Sequence, residues 1–250
     1  MFTKYFVWIS LFVALFMGTA CEKKEVRDED TIIIGTSADN PPFEFYQNGE
    51  IVGFDIDLGH LIGERLNKKV TFVDMPFESL IAALQSKKVD MVLAAMTPSE
   101  DRKRAVDFTR TYHKTGSVIV VGEGEGSTLS DLQDKIIGVQ LGSTHEVYAK
   151  NKLPTHVAVN LRSLGKVTEL IQEIKTKRIA GFITGKGEGI KIISLNPGFS
   201  MIPLPDSGGG EAVVLPKNSP LTEKVDGILE ALEKRGDVMT PLLEKWKIDG

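Results

Sequence analysis

Short apolar runs alternate with amphipathic stretches along most of the chain. The run 32–34, which ends at Gly35, has the pattern of a buried strand. The apolar residues of 58–66 then recur at helical spacing behind Asp57, which is placed to cap a helix. Similar patterns predict a strand at 70–73, a helix at 80–84 and a strand at 91–95. This order of elements predicts a parallel sheet covered by helices.

The same order of elements begins again in the second half of the chain. Strands are predicted at 135–139, 157–160 and 180–184, with helices opening at 142–144 and along the apolar stripe of 164–174. A last strand at 212–215 leads into helical patterns at 221–232 and 240–246. Two similar α/β units, joined near 113–121, would leave a cleft between them. Ligands of open α/β sheets bind at the carboxyl ends of the strands.

The first twenty-one residues have the layout of a secretory signal peptide. Lys4 is their only charge, an apolar run covers 5–17, and the small residues of 18–20 precede Cys21, the single cysteine of the chain. This arrangement resembles a bacterial lipobox, in which Cys21 would be acylated, and an ordinary signal peptide with an incidental cysteine is the alternative. The charged residues of 22–30 are expected to form a solvated tether. The folded body would then lie outside the cytoplasm.

Composition excludes several classes of protein. The 250 residues are 42% hydrophobic and 26% charged, with a formal net charge of −4, which excludes a disordered chain, a collagen-like fibre and a polytopic membrane protein. The acidic balance argues against a nucleic-acid partner. The four histidines show no paired metal-ligand spacing, and no Gly-x-Ser-x-Gly or phosphate-loop motif is present in the sequence. No cofactor, metal site or catalytic residue is predicted.

Polar residues after two of the predicted strands suit a small carboxylate. Thr97 and Arg102 follow the strand at 91–95, and a guanidinium is a planar, two-pronged donor that fits a carboxylate. Gly142, Ser143 and Thr144 follow another strand, where glycine allows close approach and a helix start offers free N–H groups. A surface ion pair for Arg102 and a plain helix cap at Ser143 are the alternatives. A carboxylate held by both would bridge the lobes and close them.

Two motifs near the start of the body carry a resemblance to a known family. They are residues 35–45 (GTSADNPPFEF) and 53–58 (GFDIDL). The similarity continues through 77–84, 96–102 and 138–144 and covers most of residues 31–250. The chain resembles the bacterial extracellular solute-binding proteins of family 3, the periplasmic amino-acid-binding proteins of ABC importers.

This resemblance implies a two-lobed periplasmic-binding-protein type II fold that closes on one ligand at its hinge. Each lobe would be a mostly parallel sheet flanked by helices, with residues 31–113 and 214–250 in lobe 1 and residues 114–213 in lobe 2. The implied function is that of a receptor and not of an enzyme. It would capture a small carboxylate, a polar L-amino acid, and deliver it to an ABC transporter permease. The receptor would be periplasmic or at the cell surface and anchored by its lipid.

The resemblance also implies a set of ligand contacts. Arg102 would pair with the α-carboxylate, Thr97, Ser143 and Thr144 would assist it, and Phe77 would pack on the ligand side chain. Asp39 either faces the cleft or serves the fold. The full expected set is Asp39, Asn40, Phe77, Ala95, Met96, Thr97, Arg102, Gly142, Ser143, Thr144, Gly185 and Glu211.

Two positions depart from the family pattern. Asn40 stands where a Tyr or Phe commonly stacks on the ligand, and Gly185 stands where an Asp commonly binds the α-amino group. A buried ammonium without an anionic partner is costly. Another acid, Glu188 or Glu211, therefore replaces it, or the ligand is not an ordinary α-amino acid. A cyclohexadienyl-dehydratase-like enzyme on the same fold and a ligand sensor or adhesin remain open alternatives.

Overall fold

The computed structural model describes residues 28–236 and 239–248. Cys21, the predicted signal peptide (1–21) and most of the predicted tether (22–30) lie outside the described residues. Within the described part, residues 28–30 are exposed and lead into the first strand. No helix of the described ranges is long and apolar enough to span a membrane.

Strands and helices alternate along the chain, as the sequence predicts. In chain order the strands are β1 (Thr31–Thr36), β2 (Asp39–Asn40), β3 (Glu44–Gln47), β4 (Glu50–Val52), β5 (Lys69–Asp74), β6 (Met91–Val92), β7 (Val106–Thr115), β8 (Ser117–Val121), β9 (Ile136–Gln140), β10 (Asn160–Leu164), β11 (Gly181–Gly185), β12 (Ser200–Pro203) and β13 (Gly209–Pro216). The helices are α1 (Phe54–Leu66), α2 (Leu80–Gln85), α3 (Glu100–Ala105), α4 (Thr144–Asn151), α5 (Val167–Lys175), α6 (Lys186–Leu195), α7 (Leu221–Arg235) and α8 (Met239–Trp246).

Two five-stranded sheets form the two lobes. The first has the order β5-β1-β6-β13-β7 and the second has the order β10-β9-β11-β8-β12. In each sheet the first two pairings are parallel and the last two are antiparallel. The prediction of two similar α/β lobes is therefore confirmed, with mixed sheets in which four of five strands run in one direction.

The chain passes between the lobes twice. β7 continues through Gly116 directly into β8, and the return runs from the end of β12 at Pro203 to the start of β13 at Gly209. The crossings therefore lie at Gly116 and at 204–208, where the sequence analysis expected them at 113/114 and 213/214. The start of β13 reads Gly-Gly-Glu, which carries no strand signal, so its true beginning was not visible in the apolar pattern.

Each sheet is packed on both faces. In β8, Ile119 and Val121 belong to one apolar layer, whereas Val118 and Val120 belong to the layer on the opposite face. This alternation follows from the period of two along a strand. It explains why continuous apolar runs, and not alternating ones, mark the central strands.

Two local predictions were wrong. The strand expected at 157–160 begins at Asn160 and continues to Leu164. It is an edge strand with largely exposed side chains, so that no apolar run marks it. Asp57 does not cap α1, which begins after Gly53. Its carboxylate instead accepts hydrogen bonds from Trp246 Nε1 at 2.7 Å and Lys245 Nζ at 2.6 Å, and so ties the C-terminal helix to lobe 1.

The connection before α1 requires a glycine, which gives a first testable prediction. Gly53 has a φ of +140°, and a Cβ there would lie 2.1 Å from the carbonyl oxygen of Phe43. We expect Gly53→Ala to lower the free energy of unfolding by about 2 kcal/mol or more, from backbone strain and steric overlap. Urea unfolding followed by circular dichroism measures this change.

Gly227 provides the matched control. It is exposed on α7, and no atom lies within 4 Å of an added Cβ. Gly227→Ala should stabilise the fold by about 0.5–1 kcal/mol through helix propensity. Equal unfolding midpoints for the two variants would contradict the steric account of Gly53.

Candidate functional site

The cleft between the lobes contains two connected chambers. The smaller, named here the binding chamber, is lined by seven of the expected residues: Asn40, Phe77, Ala95, Thr97, Arg102, Ser143 and Thr144. The larger, named here the hinge chamber, has a volume of about 320 Å³ and lies beside the first crossing at 115–117. Ala95, Thr97, Thr144, His145 and Glu188 line both, which makes them the junction of the two chambers.

Arg102 stands at one end of the binding chamber. Arg102 lies on the short helix α3. Ser99 caps this helix, because its hydroxyl accepts a hydrogen bond from the backbone N–H of Arg102 at 3.3 Å. The guanidinium donates to the carbonyl oxygen of Thr97 at 2.6 Å and to that of Gly142 at 2.8 Å. It also lies over the ring of Phe77, 5.3 Å from the centroid. These contacts fix the plane of the guanidinium and leave further N–H donors for a ligand.

The alternative of a surface ion pair for Arg102 is wrong. The three acids that could have paired with it have other partners: Glu100 pairs with Lys103, Asp101 with Arg104 and Asp107 with Lys217. Burial lowers the pKa of Arg102 to about 10, which leaves the guanidinium charged at neutral pH. The chamber therefore contains a cation that is oriented by uncharged carbonyl groups.

Lobe 2 contributes the start of α4 to the same end of the chamber. Ser143 caps this helix, since its hydroxyl accepts a hydrogen bond from the N–H of Glu146 at 3.1 Å and donates to the carbonyl of Gln140 at 2.7 Å. Gly142 does not line the chamber but gives its carbonyl to Arg102. Its φ is +74°, and a Cβ there would lie 3.0 Å from the Cβ of Glu78 in the other lobe. Glycine at 142 thus lets the lobes approach.

Ala95 is held in place at the junction of the chambers. Its φ is +45°, a left-handed conformation that non-glycine residues rarely adopt. The buried carboxylate of Asp55 accepts the Ala95 N–H at 2.7 Å and the hydroxyl of Tyr112 at 2.8 Å. Strained backbone of this kind is typical of functional sites. Burial raises the pKa of Asp55 to about 7, although both hydrogen bonds act in the opposite direction.

Two buried acids line the binding chamber together with Arg102. Glu44 of β3 is 1% exposed and Glu188 of α6 is 4% exposed. The side chain of Asn40 is a polar neighbour of both and acts to lower the pKa of each. In each, the Oε2 atom is buried without a hydrogen-bond partner among the described residues. Burial is the main cause that raises the pKa of Glu188 to about 7 and that of Glu44 well above its usual range.

Glu211 has its own partner and lies in the hinge chamber. His113 Nδ1 lies 2.9 Å from its Oε2, and both side chains are buried. Gly185 also lines the hinge chamber and not the binding chamber. His145, at the junction, has its pKa lowered to about 4 by burial and by the charge of Arg102, so it is neutral at pH 7.

Besides Gly142, two of the expected residues line neither chamber. Asp39 lies at the edge of the cleft, where its Oδ2 accepts the N–H of Val167 from lobe 2 at 2.6 Å. Burial raises its pKa to about 6. Met96 is 1% exposed and packs in the core of lobe 1, while its backbone oxygen accepts the N–H of Ala212. Asp39 therefore joins the lobes, and Met96 supports the strand end.

Three residues that were not expected among the ligand contacts also line the binding chamber: Glu44, Gln140 and His145. Glu44 lies within the motif that carries the resemblance, where residues often serve the fold. Glu188 was named only as one of two substitutes for an acid at 185. Its position three residues after Gly185, at the start of the same helix, is the signal that favours it.

Comparisons with known proteins agree with this geometry. The family model of the bacterial extracellular solute-binding proteins, family 3, matches residues 32–248. The arginine-binding extracellular protein ArtP of Bacillus subtilis (strain 168) is 34% identical over 249 residues, which cover 96% of this chain and 97% of that protein. The ABC transporter arginine-binding protein 1 of Escherichia coli (strain K12) is 31% identical over 214 residues, which cover 83% and 87%.

A solved structure extends the agreement to the fold. An ancestral arginine-binding protein bound to arginine is 38% identical, with a TM-score of 0.80, over 87% of this chain and 98% of that chain. These proteins are named for binding and not for catalysis, so the enzyme alternative receives no support. The two-lobed type II fold is confirmed. The chain belongs to the bacterial extracellular solute-binding proteins, family 3, and acts by binding a solute.

Proposed function

We propose that this protein is the receptor of an ABC importer and that its ligand is L-arginine. The observation that carries the proposal is the distribution of charge in the binding chamber. Arg102 lines this chamber together with two buried acids, Glu44 and Glu188. Arginine has one carboxylate and two cationic groups, which complement one guanidinium and two carboxylates. The names of the arginine-binding relatives support the same ligand.

A neutral amino acid would leave one of the two acids unpaired. A buried carboxylate without a cation or a full set of hydrogen bonds is costly, and each acid has an oxygen without a partner among the described residues. Asn40 is a polar neighbour that favours the charged form of both acids, where an aromatic ring would offer stacking. The departure at Asn40 therefore favours a ligand side chain that carries charge over one that is apolar.

Lobe closure is the proposed mechanism of capture. The N–H of Val167 donates to Asp39, and Arg102 donates to Gly142, so both contacts join lobe 1 to lobe 2. A ligand held by Arg102 and by the start of α4 would bind the closed state better than the open state, and this difference drives closure. The permease would then receive the closed form. We place the protein outside the cytoplasm and anchored through acylated Cys21.

The first prediction for the ligand concerns Arg102. Arg102→Ala should weaken L-arginine binding by about 100-fold or more, because the buried ligand carboxylate loses its cation. Arg104→Ala is the matched control, since Arg104 is an exposed residue of the same helix and pairs with Asp101. The control should change affinity by less than about threefold. Isothermal titration calorimetry measures both, and equal affinity in the two variants would contradict the assignment of Arg102.

The second prediction concerns the side-chain charge of the ligand. The wild type should bind L-arginine about 100-fold or more tightly than L-citrulline, its neutral isostere, because a buried carboxylate then lacks a cation. Glu44→Gln should reduce the ratio of arginine affinity to citrulline affinity. Glu50→Gln, which changes an exposed acid, should leave this ratio unchanged. A wild type that binds citrulline as tightly as arginine would contradict the cationic ligand. A wild type that responds to no amino acid would favour the sensor or adhesin.

The third prediction is a dependence on pH. Burial raises the pKa of Glu188 to about 7 and that of Glu44 well above its usual range, so the free folded protein holds protons that a cationic ligand must displace from the chamber acids. Arginine affinity should fall as pH decreases from 8 to 5, by about tenfold per pH unit for each proton displaced.

The stability of the free protein should depend on pH in the opposite direction. The folded state binds more protons than the unfolded chain between about pH 4 and pH 7, so these groups add stability as pH falls. Thermal unfolding across this range, with and without arginine, tests both pH dependences. An arginine-induced rise in unfolding temperature that does not change with pH would contradict the coupling of arginine binding to proton release.

A further inference from the structure

The glycine at 185 is explained by its neighbour and not by its backbone. Gly185 has a φ of −66° and a ψ of 157°, which any residue can adopt. A Cβ at this position would lie 2.2 Å from Oε2 of Glu188 and 2.9 Å from its Cδ. The carboxylate of Glu188 therefore occupies the space that a side chain at 185 would need.

The Glu188 carboxylate is held at the N-terminus of α6. Glu188 is the third residue of this helix, and its own backbone N–H acts to lower the pKa of its carboxyl group. A helix N-terminus favours negative charge. The oxygen closest to Gly185, Oε2, is also the one without a hydrogen-bond partner among the described residues. The fold thus buries this acid, orients it and leaves one acceptor open.

The position of Glu188 decides which part of a ligand it faces. Glu188 lies at the junction of the chambers, together with Thr97 and Thr144, which flank Arg102 and the start of α4. In an amino acid the α-ammonium is one carbon away from the carboxylate. An acid beside the carboxylate end therefore meets the ammonium. Glu44 lines only the binding chamber, with Asn40, and is free to face the side chain.

The other buried acids near the cleft are occupied. Glu211 pairs with His113, Asp39 accepts the N–H of Val167, and Asp55 accepts the N–H of Ala95. Building on the proposed function, we infer that Glu188 binds the α-ammonium group of the ligand, and that it does so from the space left open by the missing side chain at 185. A single carboxylate, supplied by a residue at either position 185 or position 188, then binds the α-ammonium group.

An exchange of the acid between the two positions tests this inference. The variants are Glu188→Ala and the double variant Gly185→Asp/Glu188→Ala, with Lys186→Ala as a control at an exposed residue of the same turn. The probes are L-arginine and 5-guanidinopentanoic acid, which lacks only the α-amino group. Isothermal titration calorimetry gives the affinities, and thermal unfolding checks that each variant is folded.

We expect Glu188→Ala to lose about 100-fold in affinity for L-arginine and less than about threefold for 5-guanidinopentanoic acid. The double variant should recover most of the loss, and Lys186→Ala should bind as the wild type. Equal losses for both probes would overturn the inference while leaving arginine as the ligand. A folded double variant that recovers no affinity for arginine would also overturn it. A wild type that binds neither probe would overturn the proposed function as well.

Discussion

One partly buried cation joins the two lobes at the binding chamber. The guanidinium of Arg102 is held by a carbonyl from each lobe, Thr97 at 2.6 Å and Gly142 at 2.8 Å, and by the face of Phe77. Carbonyl groups orient the cation but do not neutralise it. A partly buried charge of this kind is stabilised by an anion that arrives with correct geometry. The same residue therefore joins the lobes and creates the demand for a carboxylate ligand.

The acids of the cleft create the opposite demand. Four acids of the cleft are buried: Glu44, Asp55, Glu188 and Glu211. The charge of Asp55 raises the pKa of Glu44, and the charge of Glu211 raises the pKa of Glu188. Two of them have hydrogen-bond partners within the protein. Asp55 accepts hydrogen bonds from Ala95 and Tyr112, and Glu211 pairs with His113. Glu44 and Glu188 keep an open oxygen. The proposed ligand has two cationic groups and would pair with both, so its capture would also satisfy acids that the fold leaves without a full set of partners.

The carboxylate end of the site could be predicted because it depends on local signals. Arg102 and Ser143 follow strands that long apolar runs make visible, and strand ends meet at one edge of a sheet. The acid end depends on space, which the sequence does not show. Glu188 matters because Gly185 leaves room for its carboxylate, and nothing in a glycine-rich segment indicates that an acid there is buried. Met96 was misplaced for a related reason, since the chain bends at Ala95, whose φ is +45°, and the Met96 side chain packs in the core of lobe 1.

The most direct measurement is a crystal structure of the protein with L-arginine. We expect closed lobes, with the ligand carboxylate on Arg102 and the start of α4, the α-ammonium on Glu188 and the ligand guanidinium on the Glu44 and Asn40 side. An arginine bound in the reverse direction, with its guanidinium in the hinge chamber, would contradict this assignment of the site. So would an α-ammonium held without Glu188.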